Sequence, residues 1–469
     1  MTKRIFALLL ALFMLAGLCA CGDGEDTKDD ATQAGTQSQP QNSEDSSAAE
    51  NSGTAENSNP AVNSSDAESS DAESSDAADS SEEEKPVDKE RKPLNYEYMK
   101  GTWLYQYSGT SLFREDGKQR DEAEYRQLVE QICANLQRDG YNTLFLQVRG
   151  HGDSFYPSEL YPPSRYAVED YDSEFDYDPF EIFVDIAHKH EISIHAWINP
   201  YRLLLVNQII SVPDNYAIKK WFNEKEGDYI VQLDGRYYAN PAYEEVQQLV
   251  IDGAKEICTN YNVDGLHIDD YFYPSGVRDD FDKYAYAALG NGRTLKQFRY
   301  DCVNNLVKGL YDAVHSVHPD LMFGISPAGN MDNNRGYLSA DIDTWCTTPG
   351  YIDYIAPQVY WSFNYVKDFA KFDICSTSWG NLVTCKDVKL VLGIGLYRTM
   401  DAELSQTDPG WFLYKDNLKR ILEWTYDFEP ADGFIMFDYC SMYDIYTGEY
   451  REQNSEEIQN MLPLLKGQD

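Results

Sequence analysis

From Leu94 onward, short apolar runs alternate with longer amphipathic stretches in a regular order. The short runs are Gly101–Tyr107, Asn142–Gly150, Ile192–Pro200, Gly265–Phe272, Leu321–Pro327, Ile352–Trp361, Lys389–Arg398 and Gly433–Cys440, all of strand length. Between them apolar residues recur at helical spacing, most plainly in Asp121–Arg138, Ala242–Tyr261, Leu295–Val317 and Leu418–Tyr426. Eight strand–helix units in succession predict a single (β/α)8 TIM-type barrel over residues 95–469. An open doubly wound sheet is the main alternative. It would carry a glycine-rich nucleotide loop after an early strand, and this chain has none.

Period two sorts the faces of each strand. It puts Phe145, Gln147 and Arg149 on one face, His195, Trp197 and Asn199 on another, then His267 with Asp269 and Gln358 with Tyr360. Every set turns polar toward the C-terminal end of its strand. Burying such groups unsatisfied is costly, so the pattern predicts a site at that rim. The insertion over 203–240 carries Gln232-Leu233-Asp234-Gly235-Arg236-Tyr237, the signature of a hairpin turn above the barrel mouth.

The N-terminal part changes the picture. Lys3 and Arg4 precede an apolar run from Ile5 to Leu18, which describes a secretory signal over residues 1–20. Leu18-Cys19-Ala20-Cys21 resembles the bacterial lipobox, which implies lipidation of Cys21 and a membrane anchor on the outer face of the cytoplasmic membrane. Residues 21–94 are rich in Ser, Asp, Glu and Ala, and Ser-Ser-Asp-Ala-Glu recurs from Ser64 to Asp76. Such a segment cannot bury enough surface to offset its ordering entropy, so it reads as a disordered tether. It holds roughly −15 of the formal net charge of −40, leaving the folded part acidic too, which argues against nucleic acid as a partner. Beyond the signal, seven cysteines (133, 258, 302, 346, 375, 385, 440) lie at scattered spacings. Cys133, Cys258 and Cys302 read as buried thiols, and only Cys375 and Cys385 are close enough in sequence to invite a bridge.

One stretch concentrates chemistry: Val263-Asp264-Gly265-Leu266-His267-Ile268-Asp269-Asp270-Tyr271-Phe272-Tyr273-Pro274, a short strand ending on two carboxylates and then aromatic residues. Acids act at glycosidic bonds and aromatic rings stack on sugar faces. Other strings stand in order around it: Phe145-Leu146-Gln147-Val148-Arg149-Gly150, Asp153-Ser154-Phe155-Tyr156-Pro157-Ser158, His195-Ala196-Trp197-Ile198-Asn199-Pro200-Tyr201-Arg202, Phe323-Gly324-Ile325-Ser326-Pro327 and Asp353-Tyr354-Ile355-Ala356-Pro357-Gln358-Val359-Tyr360-Trp361. In this order the strings resemble glycosyl-hydrolase-like family ten, the YngK-type bacterial proteins, over roughly residues 100–398. The resemblance implies a TIM-type barrel, glycoside hydrolase activity and bacterial cell-wall glycan as the favoured substrate class. The chain departs from the pattern at Ala328-Gly329-Asn330, where a bulkier, aromatic-rich segment is expected.

Two mechanisms can use the acidic pair. In a substrate-assisted one, the substrate's own N-acetyl group is the nucleophile, Asp269 polarises it and Asp270 is the acid and base, one of the pair keeping its proton because close carboxylates resist double ionisation. In the other, Asp269 is a covalent nucleophile, since Asp264–Asp269 is similar to a string of the α-amylase superfamily. A separate acid is then needed across the barrel, for which Asp438 and Asp153 are available. Asp264, ahead of the strand, reads as a structural turn. Arg149, His195, Asn199, His267, Gln358 and Tyr360 suit sugar hydroxyls, an acetamido group or a carboxylate, and Arg149 equally suits a structural partner. Trp197, Tyr271, Tyr273, Tyr360 and Trp361 are candidate stacking platforms, whereas Trp345 and Trp411 equally suit the core. No zinc motif, cofactor loop or serine-hydrolase elbow occurs, so neither metal nor cofactor is expected. The expected protein is an exported, lipid-anchored glycoside hydrolase on N-acetylhexosamine strands. Its rivals are a retaining glycosidase on neutral polysaccharide and a non-catalytic glycan-binding lipoprotein.

Overall fold

Parallel pairing closes eight of the apolar runs into a ring. The computed structural model describes residues 92–106, 112–114, 116–269, 272–274, 276–401 and 406–467, all within the unit Glu84–Asp469. The signal segment, Cys21 and nearly all of the tether lie outside the described residues, as do Asp270 and Tyr271. The barrel strands are β1 (Met99–Leu104), β2 (Thr143–Arg149), β3 (Ser193–Ile198), β7 (Gly265–Ile268), β8 (Met322–Ile325), β9 (Tyr354–Ile355), β10 (Lys389–Ile394) and β11 (Ala431–Met436), in the closed order β1-β11-β10-β9-β8-β7-β3-β2. The expected barrel is therefore present. Its sixth strand is far shorter than Ile352–Trp361 because Pro357 has no N–H to continue the ladder. Helices fall where the periodicity puts them: Glu122–Asp139, Glu244–Asn260, Leu295–Val317 and Asn417–Asp427. The first begins at a reciprocal Asp121/Glu124 capping box and ends at Gly140 with φ 89°.

The remaining strands, β4 (Arg202–Leu205), β5 (Ile230–Leu233) and β6 (Arg236–Ala239), form a separate antiparallel sheet. Asp234 and Gly235 join β5 to β6 with φ 50° and 81°, the left-handed pair that a two-residue hairpin requires. Since β4 follows β3 after only three residues, the insertion starts from the C-terminal rim.

Strand parity creates two layers. Leu144, Leu146, Val148, Ile194, Ala196, Ile198, Leu266, Ile268, Phe323 and Ile325 pack outward with the helices. Met99, Trp103, Phe145, Trp197, Tyr354, Val391 and Ile435 fill the barrel interior. Inward glycines make room for these rings: a Cβ on Gly101 would sit 2.7 Å from Phe145, on Gly265 2.6 Å from His195, and on Gly324 2.0 Å from Tyr354. Small and large residues alternate across the interior, as close packing demands.

Arg149 breaks the expected parity. The ladder between β2 and β3 shifts between Gln147 and Arg149, which pair with Trp197 and Ile198. Two residues of β2 thus face one of β3, and Arg149 takes the outward side with Ile198. Its guanidinium lies 4.2 Å from the ring centroid of Tyr161, and a Cβ on Gly253 of the helix Glu244–Asn260 would lie 2.1 Å from Nη1. Arg149 is a buried strut between barrel and helix, not a rim residue. The seven described cysteines are all free, so Cys375 and Cys385 are not bridged. Cys375 instead points its thiol at the Gly329 carbonyl, 3.3 Å away.

Candidate active site

Below the rim, four interior side chains form one hydrogen-bonded chain, which leaves His195 Nε2 buried without a partner among the described residues. Trp103 Nε1 donates to His267 Nε2 (3.1 Å), and His267 Nδ1 and His195 Nδ1 each lie 3.0 Å from the Tyr354 hydroxyl. The indole can only donate, so His267 carries its proton on Nδ1 and gives it to the tyrosine oxygen. The tyrosine proton then turns to His195 Nδ1, leaving the His195 proton on Nε2. Both histidines are fully buried. Burial drives His267 well below the ordinary imidazole value and His195 down to about 4. They are neutral members of the barrel core, which corrects their expected place among sugar ligands. Among the described residues no three His, Cys, Asp or Glu side chains gather to hold a metal.

One layer higher the polar groups belong to the mouth. Asp269 immediately follows β7, and its Oδ2 accepts from Asn199 Nδ2 at 2.5 Å. Asn199 immediately follows β3, and its Oδ1 accepts from Gln147 Nε2 (2.6 Å) and Arg202 Nη2 (3.0 Å). Gln147 Oε1 in turn accepts from the Gln106 N–H at 3.3 Å. Asp269 is therefore oriented by an asparagine that is itself held on both sides. Asp153 accepts from the His151 N–H (3.0 Å) and Gln106 Nε2 (3.4 Å), and burial raises its pKa. Arg202, Gln106 and Gln147 join the site although they were not among the expected ligands. Only Gln147 carried a signal, its inward parity.

Asp438 follows β11, the strand diametrically opposite β7 in the ring. Its Oδ1 caps Ser441, accepting from the N–H at 3.1 Å and the hydroxyl at 2.5 Å. Its Oδ2 is buried with no hydrogen-bond partner among the described residues. Burial pushes the carboxyl up to about 6 against the pull of the Ser441 bonds. A carboxyl at that value can hold or release a proton near neutrality.

Aromatic rings line the same quadrant. Phe437 lies 5.9 Å from Tyr360, 6.1 Å from Tyr105 and 5.7 Å from Tyr397 between centroids. Trp197 is 6% exposed and its indole N–H has no partner among the described residues. Gln358 donates to the Ser326 carbonyl at 3.2 Å. Trp361 is half-buried and packs on Tyr365 at 5.8 Å. Tyr273 is fully buried and bonds Asp282, so it is core. Trp345 and Trp411 are core too, tied to Asn304 and Asp408. The departure at Gly329 has a steric reason, since a Cβ there would lie 2.3 Å from the Gln358 carbonyl oxygen and 2.8 Å from the Trp361 ring. Asp264 is structural, accepting from the backbone N–H groups of Leu94 and Ile194 at 2.7 Å each and from His188.

A closed (β/α)8 barrel whose mouth opposes carboxylates across a patch of aromatic rings has the makings of a carbohydrate-active barrel. The chain belongs to the glycosyl hydrolase-like 10 family, whose profile matches residues 98–413. It is 28% identical over 324 residues to the glycosyl hydrolase YngK of Bacillus subtilis, a match covering 64% of this chain and 61% of that one. It is 27% identical over 369 residues to the glycosyl hydrolase DigH of Escherichia coli K12, covering 72% of this chain and 82% of the relative. Among solved structures, the glycoside hydrolase domain of PgaB from Bordetella bronchiseptica aligns over 78% of this chain and 99% of its own at 10% identity and TM-score 0.48. Membership of the family supports a glycan-acting enzyme.

Proposed function

We propose that the chain is an exported, lipid-anchored glycoside hydrolase that cleaves N-acetylhexosamine strands of the bacterial cell wall. The observation that carries this reading is Asp269 at a strand end, oriented by Asn199, in a chain of this family. In the reaction, Asp269 holds the N–H of the substrate's C2 acetamido group and turns its carbonyl oxygen onto C1. That oxygen forms a bond to C1 as the glycosidic C1–O bond breaks, and the leaving oxygen takes a proton from Asp270. Water then adds at C1, returns its proton to Asp270 and releases the acetamido oxygen. Fixing one acceptor on a rigid strand end favours this attack by orientation. Tyr360, Trp361 and Trp197 are the proposed sugar platforms, and Gln358 and Tyr271 are further proposed substrate-binding residues. Cys21 is the proposed lipidation site, read out by fatty-acid labelling of the chain and its absence in Cys21→Ser.

The test is to incubate the purified chain, Asp269→Asn and Asp270→Asn with peptide-stripped glycan strands and to identify released sugars by mass spectrometry. Turnover by the wild type and loss in both variants is expected. Equal release by all three would remove the acidic pair from the mechanism. Binding without release by the wild type would favour the non-catalytic reading.

Asp438 supports a second reading. A carboxyl with one oxygen unengaged among the described residues and a pKa of about 6, just past the strand opposite Asp269's, suits the separate acid of a retaining enzyme. Asp269 is then the nucleophile and the substrate is a neutral polysaccharide. Trapping of a glycosyl–Asp269 ester by a fluorosugar would select it.

A further inference from the structure

The stretch that follows β9 at the C-terminal rim is fixed far more firmly than its exposure requires. Gly329, past β8, comes so close that a Cβ there would meet the Gln358 carbonyl oxygen at 2.3 Å and the Trp361 ring at 2.8 Å. Its backbone cannot retreat, because the Gly329 carbonyl accepts from Trp379 Nε1 (2.9 Å) and the Cys375 thiol (3.3 Å) of the helix Phe372–Leu382. Gly410, between β10 and β11, approaches the next residues as closely: a Cβ there would lie 2.1 Å from Ser362 Oγ and 3.2 Å from Asn364 Cβ. Asp408 then fastens Ser362. Its Oδ2 accepts from the Ser362 N–H and the Trp411 indole N–H, each at 2.9 Å, and its Oδ1 accepts from the Ser362 hydroxyl. The Ser362 carbonyl accepts from the N–H groups of Tyr365 (3.4 Å) and Phe372 (3.3 Å). Every polar group of the residue after Trp361 is therefore engaged. Burial raises the Asp408 pKa even against these bonds and the charge of Arg398, so the fold bears a cost to keep a carboxyl there. Ser362 and Asp408 are buried, yet Trp361 itself is left half in water. A ring so placed ordinarily samples several rotamers. This one has backbone against it and a locked neighbour in the chain.

We propose that Asp408 is a positioning residue for the glycan: through Ser362 it holds the Trp361 ring against Gly329 as a preformed face on which one pyranose of the strand stacks. The inference rests on the glycan reading above, in which Trp361 is a platform, and adds a residue that acts through it. Asp408 is buried and touches no sugar. The ligand chemistry is the apolar C–H face of a pyranose ring, which an indole covers. A bulky side chain at position 329 would take the space that the Trp361 ring occupies, so the small Ala328-Gly329-Asn330 segment and the platform belong together. Holding the ring in place before the sugar arrives removes the ordering cost from binding and leaves the chemical step untouched.

The test is a double-mutant cycle on the full chain with peptide-stripped strands, comparing wild type, Asp408→Ala, Trp361→Ala and the two together. Trp361→Ala raises KM about 10- to 100-fold, the worth of one large ring lost from a sugar face. Asp408→Ala raises KM about 3- to 10-fold, the cost of ordering a loosened side chain on binding, with kcat within about twofold. In the Trp361→Ala background the same change leaves KM where it is. Asp408→Asn, which keeps an acceptor for the Ser362 hydroxyl, recovers most of the wild-type KM. If Asp408→Ala does not fold, Ser362→Ala takes its place in the cycle, since it loosens the same contact and removes no charge. A KM rise that adds in full to that of Trp361→Ala, a loss confined to kcat, or an unchanged KM in either single variant overturns the inference. Each of these leaves the enzyme reading standing, because the wild type still turns the strands over. If the wild type cleaves nothing, that reading fails, and the cycle is repeated on Kd by calorimetric titration of the same strands. Coupling between the two positions then sustains the positioning role, and additive losses or no binding overturn it.

Discussion

Replacing Asp438 by Asn separates what the site costs the fold from what it does. A buried carboxyl raised from 3.8 to about 6 carries its negative charge at a cost of about 3 kcal/mol relative to the unfolded chain. The sign follows from proton binding. Between pH 6 and 3.8 the folded chain holds a proton on Asp438 that the unfolded chain has released, so this group adds stability as pH falls through that window. Above it the full cost is present. Asn keeps an acceptor for Ser441 and resembles the protonated acid, so the variant should be about 3 kcal/mol more stable than the wild type at pH 7.5. The difference should shrink through pH 5 and vanish near pH 3.5. Urea unfolding followed by tryptophan fluorescence at the three pH values measures it. His195, which titrates in both chains, cancels in the difference. Parallel stability profiles, or an Asn variant that is the weaker chain at pH 7.5, would refute the argument. Where Asp438 is the separate acid of the retaining reading, the stabilised variant should also be the slower enzyme.

Tyr354→Phe removes the hydroxyl shared by His195 and His267 and strands two buried imidazole nitrogens. At about 1–3 kcal/mol for each, the unfolding free energy should fall by about 2–6 kcal/mol, and a loss below about 1 would show that the chain is not satisfied through Tyr354. Asn199→Ala unfastens Asp269, so kcat on denuded strands should drop by about 100-fold with a smaller change in KM. An unchanged kcat would remove Asn199 as the positioning residue. Arg149→Met keeps the stem that packs on Tyr161 but deletes the charge, and should leave KM unaltered while moving the unfolding midpoint. A large rise in KM would return Arg149 to the glycan.

The long elements were legible because periodicity is a property of the segment itself. Leu295–Val317 is a helix at the expected residues, and the turn at Asp234-Gly235 follows from its own chemistry. What failed depended on partners distant in sequence. Arg149 left its face through a bulge against β3 that no local residue announces. His195 and His267 were read as rim ligands because burying polar groups unsatisfied is costly, yet Tyr354 and Trp103, from two other strands, engage both nitrogens of His267 and one of His195. Parity along a strand therefore sorts inward from outward but not core from mouth. Depth does that. His195 and His267 lie within paired registers, opposite Gly265 and Gly324, whereas Asn199 and Asp269 come one residue after their strands end and Asp438 two. An inward polar residue flanked by ladder pairs has to be satisfied by other interior side chains, and one just past the last pair is free to face a substrate.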